Sequence, residues 1–76
     1  MKFNELECVR VINAVCGQDM CKDGMSSVAA GEVGTIMMVF EEHHAYFVEF
    51  LHPLPDGGLD NILLAIPEDN LEPYSE

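Results

Sequence analysis

Along the second half of the chain, hydrophobic side chains fall at alternate positions. Ile36, Met38 and Phe40 share one parity and Thr35, Met37 and Val39 the other, the period of two that a β-strand imposes on its faces. A polar turn, Glu41-Glu42-His43-His44, follows. Ala45 to Leu51 then resumes the alternation, rich in aromatic and β-branched residues, with Tyr46, Val48 and Phe50 on one face. Together these segments predict a β-hairpin. His52-Pro53-Leu54-Pro55-Asp56-Gly57-Gly58 breaks the pattern, because proline donates no ladder hydrogen bond and Asp-Gly-Gly favours positive φ. Leu59 to Ile66 predicts the next strand, Pro67-Glu68-Asp69-Asn70 one 3₁₀ or β-turn, and Leu71 to Tyr74 a short last strand.

The first third is less regular. Leu6 to Ile12 alternates like a strand, while Asn4 and Glu7 have the spacing of a helix capping box. The β-branched Val9, Val11 and Ile12 favour the strand, with helix kept as the alternative for residues 5–16. Asn13 to Ala30, with Gly17, Gly24, Ser26 and Ser27, reads as a long loop. The fold class that follows is mostly β.

With 76 residues there is room for one domain, 1–76, and a modest core, since a domain of this size buries only about 60% of the surface its unfolded chain exposes. The hydrophobic fraction of 49% is enough to fold. No apolar run approaches the roughly 20 residues of a membrane-spanning helix, the longest being stretches such as Ile36 to Phe40 and Ile62 to Pro67. Met1-Lys2-Phe3-Asn4-Glu5 lacks the layout of a signal peptide, so a cytoplasmic location and no membrane partner are expected. Fourteen acidic residues against three bases, Lys2, Arg10 and Lys22, give a formal charge of -11. That balance repels phosphate backbones, argues against nucleic acid as a partner, and suits either plain solubility or a basic protein partner.

Cys8, Cys16 and Cys21, with His43, His44 and His52, are the residues that could ligate a metal, since thiolate and imidazole suit tetrahedral zinc. Four residues separate Cys16 from Cys21, and no second Cys or His pair has a matching interval. Neither a metal nor another cofactor is therefore expected. Cys8 reads as a small core residue, and Cys16 and Cys21 stand either as free thiols or as a disulfide. A nucleophile with a base, such as Cys21 with His44, would need an orienting third group and a pocket. Glu41, Glu42 and Glu49 read as exposed carboxylates. The chain is expected not to be an enzyme.

Three segments, Gly31-Glu32-Val33-Gly34-Thr35-Ile36, Tyr46-Phe47-Val48-Glu49-Phe50 and Ala65-Ile66-Pro67-Glu68-Asp69-Asn70-Leu71, carry a resemblance. Their order and spacing resemble a bacterial family of small SH3-like barrel domains of unknown function, often encoded near toxin and immunity loci. The resemblance implies a five-stranded SH3-like barrel with a short 3₁₀ turn before the last strand and a long loop after the first. Gly31 and Gly34 would be its structural turn, permitting tight bending and close backbone approach. Such folds host unrelated roles, so the function expected is a non-catalytic protein-interaction module. The alternatives are an acidic immunity or inhibitor-type protein that neutralises a basic partner, and a metal-binding protein using Cys and His. If Ile36, Met38 and Phe40 point inward, Met37 and Val39 point out, and by the same parity so does Phe47. Met37, Val39 and Phe47 are thus the expected interface of a homo-oligomer, a dimer or a dimer of dimers, unless the Asn13 to Ala30 loop covers them.

Overall fold

The computed structural model describes residues 2–75 and contains seven strands. They are β1 (Cys8–Val11), β2 (Val15–Gln18), β3 (Met25–Val28), β4 (Val33–Phe40), β5 (Ala45–Pro53), β6 (Leu59–Pro67) and β7 (Leu71–Pro73). Short 3₁₀ turns lie at Glu41–His43, where a polar turn was expected, and at Glu68–Asn70, where a 3₁₀ or β-turn was expected. Five strands form one antiparallel sheet in the order β6-β5-β4-β1-β7, while β2 and β3 pair separately. Strands β6 and β7 share no ladder among the described residues, so closure of a five-stranded barrel is not found.

The inner face of the sheet carries the core. Val9 and Val11 are buried on β1 while Cys8 and Arg10 are exposed, the alternation of a strand with one wet face. The segment is therefore a strand, and Cys8 is not the core residue it was expected to be. Asn4 and Glu7 do interact, Nδ2 to Oε1 at 3.0 Å, but they close a single turn in which the Glu7 N–H donates to the Asn4 carbonyl. Tyr46, Val48 and Phe50 from β5, with Ile62, Leu64 and Ile66 from β6, fill the middle of the core, and Leu71 completes it beside β1.

Asn13 to Ala30 is not a loop but contains the β2–β3 hairpin. Val28 is buried and Val15 packs against the core, so the hairpin roofs the inner face of the sheet. Its tip is fastened to the free edge of β6 through a buried carboxylate. Asp19 accepts hydrogen bonds from the Cys21 N–H at 2.8 Å, the Ser26 hydroxyl at 2.8 Å and the Leu63 N–H at 3.3 Å, while the Met20 N–H donates to the Leu63 carbonyl at 2.8 Å. Lys22 reaches both Asp19, at 3.8 Å, and Asp60 on β6. Burial pushes the Asp19 carboxyl up, but the three hydrogen bonds and the Lys22 ammonium outweigh it and hold the group below its ordinary value.

One irregularity overturns the expected strand parity. Ile36 pairs with Val48, yet Met38 pairs with Phe47, which leaves Met37 as an extra residue in β4. Beyond this bulge the two faces exchange. Val39 lies opposite the buried Tyr46 and packs against the core, whereas Met38 and Phe40 move to the outer face. The expectation that Met38 and Phe40 point in and Val39 points out is corrected accordingly.

Gly34 and Gly31 serve different purposes. A Cβ at Gly34 would lie 2.7 Å from the Glu49 carbonyl oxygen, 2.7 Å from Val48 Cγ1 and 2.8 Å from Phe50 Cε1, so β4 approaches β5 where only hydrogen fits. Gly31 faces open space, but its φ of +89° disfavours a side chain. We expect Gly34→Ala to lower stability by about 1–3 kcal/mol through overpacking, with Gly34→Val worse; an unchanged melting temperature would remove the close-approach role. A second expectation concerns acid. Because the folded Asp19 value is depressed, its contribution is complete above the unfolded value of about 3.9 and is lost as pH falls through the lower folded value. Urea titrations at about pH 7 and about pH 3 should show a smaller acid loss in Asp19→Asn than in wild type, and equal losses would contradict the assignment.

Candidate functional site

The outer face of β4, β5 and β6 carries apolar side chains on adjacent strands. Strand register aligns Met38, Phe47 and Ala65 in one row across the three strands, and Phe40, Ala45 and Pro67 in the row beside it. Met38 is 47% exposed and Met37, at the bulge, 43%. Phe47 and Phe40 are half-buried, with ring centroids 5.6 Å apart. The His43 ring stacks on Phe40 at 4.8 Å, extending the flat surface to the β4–β5 turn. A shallow groove of about 450 Å³ lies at this end, lined by Met38, Val39, Phe40, Glu41 and Glu42.

Of the three residues expected to form an interface, Met37 and Phe47 reach this region with accessible side chains, whereas Val39 turns inward. Met38 and Phe40 belong to the patch and were assigned to the core by their parity. Nothing in the alternation marks the bulge, because residues 36 to 40 are apolar on both faces. The β2–β3 hairpin contributes Val15 and Val28 to the opposite, inner side of the sheet.

Carboxylates surround and interrupt the patch. Glu41 and Glu42 are exposed at the turn and enter no ion pair among the described residues. Glu49 sits within the face, directly between Thr35 on β4 and Leu63 on β6. It is half-buried, and no side-chain hydrogen bond or ion pair holds it among the described residues. The nearby cation on this face is Arg10 on β1, opposite Val33, and it pairs with Glu72 at 2.9 Å; Lys22 pairs with Asp60.

A second polar cluster lies at the N-terminal segment. The buried Tyr46 hydroxyl donates to Glu68 at 2.5 Å and accepts the Phe3 N–H at 3.0 Å, while the Lys2 backbone N–H donates to Glu68 at 2.9 Å. Phe3 meets the Tyr46 ring edge-on at 5.5 Å. This cluster holds the N-terminal segment over the core. Burial and the Glu68 carboxylate push the Tyr46 phenol up, and the Tyr46 hydroxyl and Lys2 N–H hold the Glu68 carboxyl below its ordinary value. His52 contacts Glu32 at 2.6 Å.

The residues considered for catalysis or metal binding are distributed. Cys21 lines a depression at the β2–β3 turn with Asp19 and Lys22, whereas His43 and His44 line a separate one with Pro67, Glu68 and Asp69. Cys8, Cys16 and Cys21 are free, exposed thiols on β1, on β2 and in the following turn. Among the described residues, no three His, Cys, Asp or Glu side chains are arranged to hold a metal ion. No helix among the described residues is long and apolar enough to cross a membrane. No protein-family model matches the chain, and neither a curated protein nor a solved structure matches it.

Proposed function

We propose that this chain is a non-catalytic protein-interaction module on an SH3-like framework, and that it self-associates by burying the outer face of β4, β5 and β6 against a second copy. The observation that carries the reading is the pair of apolar rows, Met38–Phe47–Ala65 and Phe40–Ala45–Pro67. With Met37 beside them, these rows form a contiguous set in which Met37, Met38, Ala65 and Pro67 are exposed and Phe40 and Phe47 half-buried, more than scattered surface residues and the mark of an interaction face. An isologous two-fold contact buries such a patch on both partners at once. The SH3-like framework is supported by the strand order β6-β5-β4-β1-β7, with a hairpin inserted after the first strand and a 3₁₀ turn before the last. The non-catalytic character is supported by the separation of the cysteines from the β4–β5 turn histidines.

Relative to the interface expected from sequence, Met38 and Phe40 replace Val39, while Met37 and Phe47 remain. Sedimentation at about 100 μM protein should show a dimer or a dimer of dimers, and Phe47→Glu combined with Met38→Glu should dissociate it while leaving the far-ultraviolet circular dichroism unchanged. A wild-type chain that stays monomeric at about 100 μM at both neutral and mildly acidic pH would overturn the reading.

A further inference from the structure

We propose that residues 2–5 form a strap that opens as a unit while the sheet stays folded, and that the Glu68 carboxylate is the proton-sensitive latch that keeps it closed. The inference is independent of whether copies associate. Just past the strap the chain is pinned to β4, because the Leu6 N–H donates to the Ile36 carbonyl at 2.7 Å and the Ile36 N–H to the Glu7 carbonyl at 2.9 Å. Between strap and pin runs the Asn4–Glu7 turn, in which Leu6 has a φ of +69°, a left-handed conformation that a bulky apolar residue rarely adopts. Its side chain is exposed, so packing does not hold it there. This turn is the hinge.

Beyond the hinge, among the described residues, two hydrogen bonds tie the strap to the rest of the molecule, and both run through one cluster. The Lys2 N–H donates to Glu68 Oε2 at 2.9 Å and the Phe3 N–H to the Tyr46 hydroxyl at 3.0 Å, whose own proton goes to the same Glu68 oxygen at 2.5 Å. Phe3 is buried edge-on against the Tyr46 ring, whereas Lys2, Asn4 and Glu5 are exposed. One carboxylate oxygen thus receives the strap directly and also orients the hydroxyl that accepts the second bond. Hydrogen bonds to an ionised acceptor are the stronger kind, and protonation of Glu68 weakens the whole chain of contacts. The other charged groups that face Glu68 act in known directions. His43 and His44 from the β4–β5 turn, with Asp69, share a depression with it, and the Glu68 N–H donates to the His44 carbonyl at 2.8 Å. Lys2 and the chain's terminal amine add positive potential, as would a charged imidazole, so all of them favour the ionised latch, and Asp69 opposes it. Opening uncovers the Phe3 ring and the Tyr46 hydroxyl at one end of the core.

The sign follows from the direction in which closure moves Glu68. The Tyr46 hydroxyl first, and then the Lys2 N–H, hold its carboxyl below the ordinary value. Closure is therefore fully supported above about 4.3, the ordinary glutamate value, and loses support as pH falls through the lower closed-state value, the opening constant rising by up to about tenfold per pH unit. Amide hydrogen exchange of the full chain, read residue by residue by nuclear magnetic resonance, tests this. At about pH 6 the Phe3 amide should be at least about tenfold less protected than those of Val48 and Leu64, which pair in mid-sheet, and should respond little to low urea, because an opening strap exposes little surface. Its protection should then fall between about pH 5 and about pH 3, whereas in Glu68→Gln it should already be low at about pH 6 and lack that fall. Phe3 protection equal to that of Val48 and Leu64 at about pH 6, with the same urea dependence, means that the strap opens only when the sheet does and overturns the proposal. Wild-type Phe3 protection that stays constant from about pH 5 to about pH 3, or that persists unchanged in Glu68→Gln, removes Glu68 as the latch.

Discussion

The close approach of β4 to β5 at Gly34 is the constraint on which the arrangement depends. β4 is hydrogen-bonded on one side to β1 and on the other to β5, and Gly34 lies opposite Val9 in the first of these ladders. With no side chain there, Val48, Phe50 and the Glu49 carbonyl occupy the space a Cβ at this position would need. The buried set Val9, Ile36, Val48 and Phe50 can then form one cluster across three strands. A methyl group at this point would push apart strands that everything on either side pairs with.

Around this centre, polar groups act at the two places where irregular chain meets the core. Asp19 organises the hairpin tip on β6, and Tyr46 with Glu68 organises the N-terminal segment. Each uses one ionised carboxylate to satisfy several donors, and among the described residues no buried side-chain nitrogen or oxygen is left without a partner. Hydrogen bonds to a charged acceptor are also stronger than neutral ones, so a segment with few apolar contacts can still be held.

Much of the sheet was legible in the sequence, because β5 and β6 are buried on one face and their alternation is long. Tyr46, Val48 and Phe50 announce the inner side of β5, but the break expected from His52 comes late: β5 runs on through His52 and Pro53, which pair with Asp60 and Leu59, and the chain turns only from Leu54. The β2–β3 hairpin was hidden for the opposite reason: each strand is four residues long, and its alternating partners are Gly17 and Ser26 rather than large apolar groups. The outer patch was half legible. Phe47 follows from an unbroken strand, but Met38, Val39 and Phe40 lie beyond a bulge that depends on how β4 fits β5, and their hydrophobicity suits either face.

The fastening at Leu63 has a further consequence for how molecules of this protein can meet. A nine-residue edge strand such as β6 would ordinarily offer a rail of unpaired amides and carbonyls along which a neighbouring chain could zip, the first step toward fibrils. Here Asp19 and Met20 occupy the midpoint of that rail, and Pro67 ends it without a donor. The opposite edge, β7, is three residues long and finishes at Pro73. Open-ended strand addition is thereby opposed at both rims: one edge is interrupted at its midpoint, and the other is too short to template a long ladder.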